Sequence, residues 1–328
     1  MNIASADSAS DPARQRSCES GPTRVAIICG PTASGKTALA LALARRLPSV
    51  VINADSAQVY RDLAILSARP GEAEMAGIPH RLFGHVGGDD DYSAARWAEE
   101  ATREIAAAAA DGRRAILVGG TGLYIRTLID GIAPVPEIDA AVRDAVRALP
   151  VAQAYAALKQ EDPGAARRLN RGDTTRVARA LEVVRSSGRT LADWQSAKTG
   201  GIGGKTDIVA TILLPPRDWL FERCDTRLAT MMAGGAIAEV AALLAHHYPP
   251  ESPVMRAIGV RDIAALLAGE IETDEARARA QLATRRYAKR QYTWFRNQPP
   301  TDWSRIESTP DAALIESLAD TMASKLAC

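Results

Sequence analysis

The sequence predicts an α/β protein: a parallel sheet flanked by helices and interrupted once by an all-helical insertion. Three observations carry that prediction. Short β-branched runs alternate with helical stretches, the pattern of parallel strands joined by crossover helices. The first run, Val25–Cys29, ends in GPTASGKT and leads into a helix rich in alanine and leucine. Between Gly131 and Gly204 the strands stop and only short helical segments remain.

The elements follow in order. Val25–Cys29 reads as a buried strand and Ala38–Arg46 as the helix after the glycine loop, which is the opening of a P-loop NTPase-like sheet. Val50–Asn53 is a second buried strand, followed at once by Ala54-Asp55-Ser56. Trp97–Ala110 is an alanine-rich helix, and Ala115–Val118 a third strand running into GGTG. Ile208–Leu214 is a fourth, stopped by Pro215-Pro216, and everything from Asp218 onward reads as helical. The expected organisation is therefore a tail over residues 1–22, a core made of 23–130 and 205–328, and a helical insertion over 131–204. The tail, rich in Ser, Ala, Asp and Arg, reads as disordered or as an upstream extension, and it lacks the apolar segment of a secretory signal.

Composition narrows the class. The chain has 328 residues, 47% hydrophobic and 24% charged, which suits one large globular core. A net charge of +1 says less than its distribution. The four cysteines, Cys18, Cys29, Cys224 and Cys328, form no C-x-x-C pair, which argues against a disulfide framework or a zinc module and for a reducing, cytoplasmic setting. The four histidines make no metal spacing, and no apolar run approaches a membrane span in length.

The chemistry begins at the glycine loop. Gly30, Gly35, Lys36 and Thr37 fill G-x-x-x-x-G-K-[ST], and Pro31, Thr32, Ala33 and Ser34 lie between them. Backbone N–H groups and the helix dipole there favour a phosphate, Lys36 adds an ammonium, and Thr37 can coordinate magnesium. The motif alone does not choose between a nucleotide whose phosphoryl group moves and a diphosphate that leaves. Asp55 follows a buried strand, at the sheet edge where ligands bind. It reads as a magnesium ligand or a proton-accepting base, against the competing reading of a turn aspartate. ILVGGTGLY, Ile116–Tyr124, brings backbone and the Thr121 hydroxyl to the same edge; tight strand–helix packing would explain its glycines but not Thr121. Neither strand ends in the acid that would hold magnesium for ATP hydrolysis, and there is no guanine-reading N-K-x-D. From Glu275 to Gln298 basic residues run without an acid after Glu275, with Tyr287, Trp294 and Phe295 interleaved. One-signed charge of that kind suits a polyanion partner better than a solvated face. Further basic clusters, Arg167, Arg168, Arg171, Arg176 and Arg179, then Arg256 and Arg261, repeat it.

Taken together, GPTASGKT, DSAQVY, PHRL, YSAARW, VGGTGLYI, TRVARALEV, RAIGVRD and ATRRYAKRQYTWFR resemble, in order, the motifs of the bacterial-type tRNA dimethylallyltransferase family of isopentenyltransferases. The resemblance runs from about Val25 to Gln298. It implies that the loop, Gly30 to Thr37, holds the diphosphate of dimethylallyl diphosphate, with Thr37 toward Mg2+. It implies Asp55 as general base, with Thr121 and Lys36 completing the catalytic set. It places tRNA contacts at Asp55, Ser56, Ala57, Gln58, Thr121, Arg143, Thr175, Arg176, Arg179, Arg256, Arg261, Lys289, Arg290, Gln291, Trp294 and Arg296. The helical insertion would clamp the anticodon stem-loop, around a monomer that meets no membrane. Three stretches depart from the family pattern: Leu66-Ser67-Ala68-Arg69-Pro70 for G-T-A-K-P, Gly84 for an aspartate, and Val260 for a tyrosine. A small-molecule or nucleotide kinase, or an RNA-binding module with a degenerate nucleotide site, are the competing readings.

Overall fold

A computed structural model describes residues 23–327; the tail expected over residues 1–22 lies outside the described residues. Strands β1 (Thr23–Cys29), β2 (Ser49–Asn53), β3 (His80–Arg81), β4 (Arg114–Gly119), β5 (Thr206–Leu213) and β6 (Ser304–Ile306) form one sheet, paired in parallel throughout in the order β3-β2-β4-β1-β5-β6. The sheet has six strands where the sequence reading expected four. β3 and β6 are too short to show a hydrophobic period, and β6 breaks the stretch read as wholly helical. The P-loop NTPase-like class stands: a parallel sheet covered on both faces by helices.

Burial on both faces explains why the central strands are continuous apolar runs. In β1, Val25, Ile27 and Cys29 enter one core, while Ala26 and Ile28 enter the other, as a two-residue period requires. Helices α1 (Lys36–Ala44) and α14 (Ala312–Ala327) cover the second face, where Leu39 and Leu43 meet Ile315, Met322 and Leu326. The larger face is covered first by α3 (Ala94–Ala110) and α4 (Gly122–Asp130). α3 starts three residues before the expected Trp97 because the Ser93 hydroxyl caps it, accepting from Arg96 N at 3.1 Å. A short α2 (Glu72–Met75) stands before β3.

After α4 come five helices, α5 (Ala140–Arg147), α6 (Val151–Glu161), α7 (Pro163–Arg168), α8 (Thr174–Ser187) and α9 (Leu191–Ser196). They bury a core of their own around Val146, Leu158, Val177 and Leu181. The chain leaves and re-enters the sheet side by side, at an antiparallel bridge between Ile132 and Thr199.

The rest of the chain completes the larger face: α10 (Arg217–Met231), a π turn, α11 (Ile237–Leu244), α12 (Val260–Leu267) and the 25-residue α13 (Thr273–Asn297). The stretch Arg217–Leu244 is long and apolar enough by composition to cross a membrane, which corrects the expectation that no run comes close. It is bent at Gly234 and Gly235 (φ 115°) and packs Leu220, Cys224, Ala236, Val240 and Leu243 into the main core, as paired core helices do.

Candidate functional site

The site lies at the carboxyl ends of β1, β2 and β4, where an open parallel sheet presents its loops. After β1 the loop Gly30–Gly35 wraps the start of α1, with Ala33 held at φ 62°. The Lys36 ammonium donates to Pro31 O at 2.7 Å, so the loop closes on its own lysine. Burial pulls that amine down to about 8, and the Asp55 carboxylate acts in the opposite direction. The Thr37 side chain is exposed at the mouth of the loop.

After β2, Asn53 shapes the next turn: its side chain accepts from Asp55 N (2.8 Å) and donates to Asp55 O and Leu82 O (both 3.0 Å). One Asp55 carboxylate oxygen accepts from Ala57 N at 3.0 Å. After β4, the Thr121 hydroxyl accepts from Ser56 N (2.9 Å) and donates to Ser56 Oγ (3.1 Å), which locks the β2 and β4 turns together.

Helix α13 closes the arrangement. The Gln291 side chain is 6% exposed and spans the site: its oxygen accepts from Thr32 N of the phosphate loop, its nitrogen donates to Gly120 O, both at 2.8 Å. A Cβ on Gly120 would collide with that amide, and one on Gly122 with the Trp294 ring. Tight packing therefore accounts for these two glycines, with α13 as the partner that packs. Gln291 and Trp294, expected among the RNA contacts, point inward; Gln291 ties two loops together and Trp294 is half-buried against α4 and Phe295.

Two cavities meet at this point. The first, about 670 Å³, is lined by the glycine loop from Thr32 to Thr37, by Arg223 and Arg227, and by Asp55, Glu74 and Glu222. The second, about 560 Å³, is lined by Ser56, Tyr60, Tyr92, Thr121, Tyr124, Cys224, Leu228, Tyr287, Arg256 and Arg290. Thr32, Ala33, Asp55, Ser67 and Arg227 border both, which puts Asp55 at the junction. Burial dominates the chemistry there. It lowers Arg227 below the usual guanidinium range, raises the Cys224 thiol to about 11, and raises Tyr124 and Tyr287 above the usual phenol range.

Arg223, Arg227 and the bridging role of Gln291 were not foreseen; Tyr287, expected among the aromatics of the basic segment, lines the second cavity. The signal for the two arginines was present: they stand four apart, one helical turn, just beyond a strand's carboxyl end. Glu239 had no such signal. Its carboxylate, from α11, accepts the backbone N–H groups of Ala64, Ile65 and Leu66 at 2.6, 2.7 and 2.9 Å, fixing the turn that carries Ser67 to both cavities. The departures from the family pattern also find places. Leu66 lies against Gly259, Gly84 (φ 56°) has the Arg69 guanidinium over it, and Val260 is buried in the main core.

The basic residues separate into paired and unpaired ones. On α13, Arg277 and Arg279 pair with Asp274 and Glu275, and Arg285 binds Asp225 through both oxygens at 2.7 and 2.6 Å. Among the described residues, Arg286, Lys289, Arg290 and Arg296 of the same helix are exposed without an acidic partner. Arg256 and Arg261 are also exposed, Arg256 at the second cavity, which Arg290 lines too. Thr175, Arg176 and Arg179 are exposed on α8, and Arg143 is half-buried on α5, all in the separate helical stretch rather than at the cavities. Gln58 is turned inward, donating to Ser67 O (3.0 Å) and Ala68 O (2.9 Å), while Ala57 and Ser56 face the second cavity.

Residues 58–298 match a family model described as IPP transferase. A protein of Sphingopyxis alaskensis named tRNA dimethylallyltransferase is 63% identical over 296 residues, 90% of this chain and 97% of its own. A protein of the same name from Zymomonas mobilis is 50% identical over 282 residues, 86% of this chain and 90% of its own. Among solved structures, the full-length tRNA isopentenylpyrophosphate transferase of Bacillus halodurans superposes with a TM-score of 0.67 at 30% identity, covering 93% of this chain and 97% of that one. A eukaryotic dimethylallyltransferase caught acting on tRNA gives 0.77 at 27% identity, over 93% of this chain and 77% of that one.

Proposed function

The chain belongs to the IPP transferase family, and from that premise we propose that it transfers a dimethylallyl group from dimethylallyl diphosphate to N6 of the adenosine next to the anticodon of tRNA. The observation that carries this reading is the junction of two unlike cavities at Asp55, one lined by the glycine loop with Lys36, Arg223 and Arg227 beside it, the other walled by Tyr60, Tyr92, Tyr124 and Tyr287. The first suits a diphosphate and the second a planar base beside an apolar allyl group.

On this reading the free loop N–H groups, Lys36, Arg223 and Arg227 bind the diphosphate and stabilise the charge that grows on its bridging oxygen. The exocyclic amine forms the new N–C bond as the allylic C–O bond breaks, and the electron pair of that bond leaves with diphosphate. The amine proton passes to the Asp55 carboxylate, whose orientation is fixed by Ala57 N and by the Asn53 turn. Thr121, held by Ser56, orients the base. The base must leave its stack to reach Asp55. Arg256 and Arg290 at the second cavity, and Arg286, Lys289 and Arg296 along α13, face the RNA backbone, with the five-helix insertion clamping the anticodon stem-loop.

Magnesium fits the residues present. Among the described residues no cluster of three or more His, Cys, Asp or Glu side chains builds a metal cage. Magnesium bound to phosphates commonly takes only one or two protein ligands, and the exposed Thr37 hydroxyl at the loop mouth can be one. The ion would neutralise diphosphate charge. On the same reading the protein works in the cytoplasm, as a monomer.

The experiment is incubation with labelled dimethylallyl diphosphate, magnesium and unmodified tRNA, followed by nucleoside analysis. A labelled N6-prenyl adenosine is the expected product. ATP consumption or phosphorylation of a small molecule, without label transfer, would assign the loop to a kinase and overturn the reading.

A further inference from the structure

Among the described residues three large apolar side chains are exposed: Leu123, Leu267 and Leu282. Leu123 is 62% exposed, the most exposed large hydrophobic side chain among the described residues. Its neighbours in sequence behave differently: Tyr124 and Ile125 are 4% and 2% exposed. Leu123 sits in the first turn of α4, two residues after Thr121, and lines the second cavity, as Arg256 and Arg290 also do. Its platform is rigid. The preceding Gly122 is pressed on the Trp294 ring, and the Leu123 carbonyl accepts from the Thr127 hydroxyl at 2.8 Å.

An isolated exposed leucine on a surface needs no explanation, but one lining a cavity that two exposed arginines, Arg256 and Arg290, also line has a defined chemical use. A base that swings out of a stack leaves an apolar gap between its two neighbours. Side chains that fill such gaps are apolar and protruding, of the size of leucine or methionine. The arginines supply the matching attraction for the phosphates on either side.

We propose that Leu123 is a wedge: it enters the RNA stack at the place of the extruded adenosine and so holds that base out, toward Asp55. This rests on the prenyl-transfer reading above. Leu123 then acts on the position of the base and not on the reacting atoms. It is a positioning residue, and its effect belongs to the extrusion equilibrium.

The test uses the full-length protein and an anticodon stem-loop with 2-aminopurine at the target position, which brightens when it unstacks. Fluorescence anisotropy of an end label reports binding on the same samples. At saturating protein the wild type should brighten the 2-aminopurine, and Leu123→Ala should cut that rise by roughly threefold or more, as expected when unstacking is no longer offset. Leu123→Met should restore it and Leu123→Gln should not. As an exposed position it leaves folding intact, and circular dichroism of each variant checks this. A full rise with Leu123→Ala, or equal restoration by Gln and Met, overturns the wedge. Absence of RNA binding by the wild type, seen in anisotropy, would instead refute the function and the wedge with it.

Discussion

Replacing Gln291 by leucine separates two roles for one residue. The amide is buried and holds the phosphate loop to the β4 turn through two bonds of 2.8 Å. Leucine fills nearly the same volume, so little cavity cost is added, but Thr32 N–H and Gly120 C=O both lose their partner. Each such orphaned group costs about 1–3 kcal/mol, nearer the lower end where water can enter, as at half-buried Thr32. The expected loss of stability is therefore about 2–4 kcal/mol, read as a lower midpoint with unchanged slope in urea unfolding. If about 1.4 kcal/mol of this falls on the loop's diphosphate-binding geometry, the KM for dimethylallyl diphosphate rises about tenfold. RNA affinity should be nearly unchanged, since the side chain does not reach the surface. A stability loss below about 0.5 kcal/mol, together with weakened tRNA binding and an unaltered KM, would refute this reasoning and return Gln291 to the RNA face.

Three further outcomes follow from the same geometry. With the Lys36 amine lowered to about 8 by burial, the unfolded chain holds more protons than the folded one from about pH 8 to the ordinary lysine range. Its contribution to stability therefore rises with pH across that window, and is least favourable below it. If, as proposed, the Lys36 ammonium holds dimethylallyl diphosphate, the affinity for it should fall over the same window; a KM profile of the wild type beside Lys36→Arg, which stays charged and should be flat there, checks this. Glu239→Ala leaves three backbone N–H groups unpaired and should cost about 2–4 kcal/mol in chemical denaturation, against less than about 0.5 kcal/mol if the turn at residues 64–66 holds itself.

The fold was legible wherever both faces of an element are buried or a loop carries a motif. β1, β2, β4 and β5 stand out as β-branched runs, and the phosphate loop, Asp55 and Thr121 follow directly from strand ends. β3 and β6 were not legible because two and three residues cannot display a period. The basic segment showed its charge but not its orientation. The run lacks acids after Glu275, yet Arg285 finds one 60 residues away, in Asp225, and Arg277 and Arg279 find theirs in the helix's own first turn. Only the fold reveals that Tyr287, Arg290, Gln291 and Trp294 lie on the side turned to the site while Arg286, Lys289 and Arg296 are exposed away from the cavities. Glu239 illustrates the general limit: its partners are backbone N–H groups more than 170 residues earlier, and backbone groups leave no mark in a sequence.

Asp55, the carboxylate at the junction of the two cavities, is the group on which the proposed chemistry turns. Asp55→Asn keeps the shape and the oxygen that accepts from Ala57 N, but removes the proton acceptor. Single-turnover transfer of labelled dimethylallyl to tRNA, measured beside the affinities for both substrates, tests it directly. A fall in rate of about a hundredfold or more, the usual weight of a general base, with both affinities within about twofold of wild type, is the predicted result. A rate within about threefold of wild type would contradict the account and leave the proton to another group.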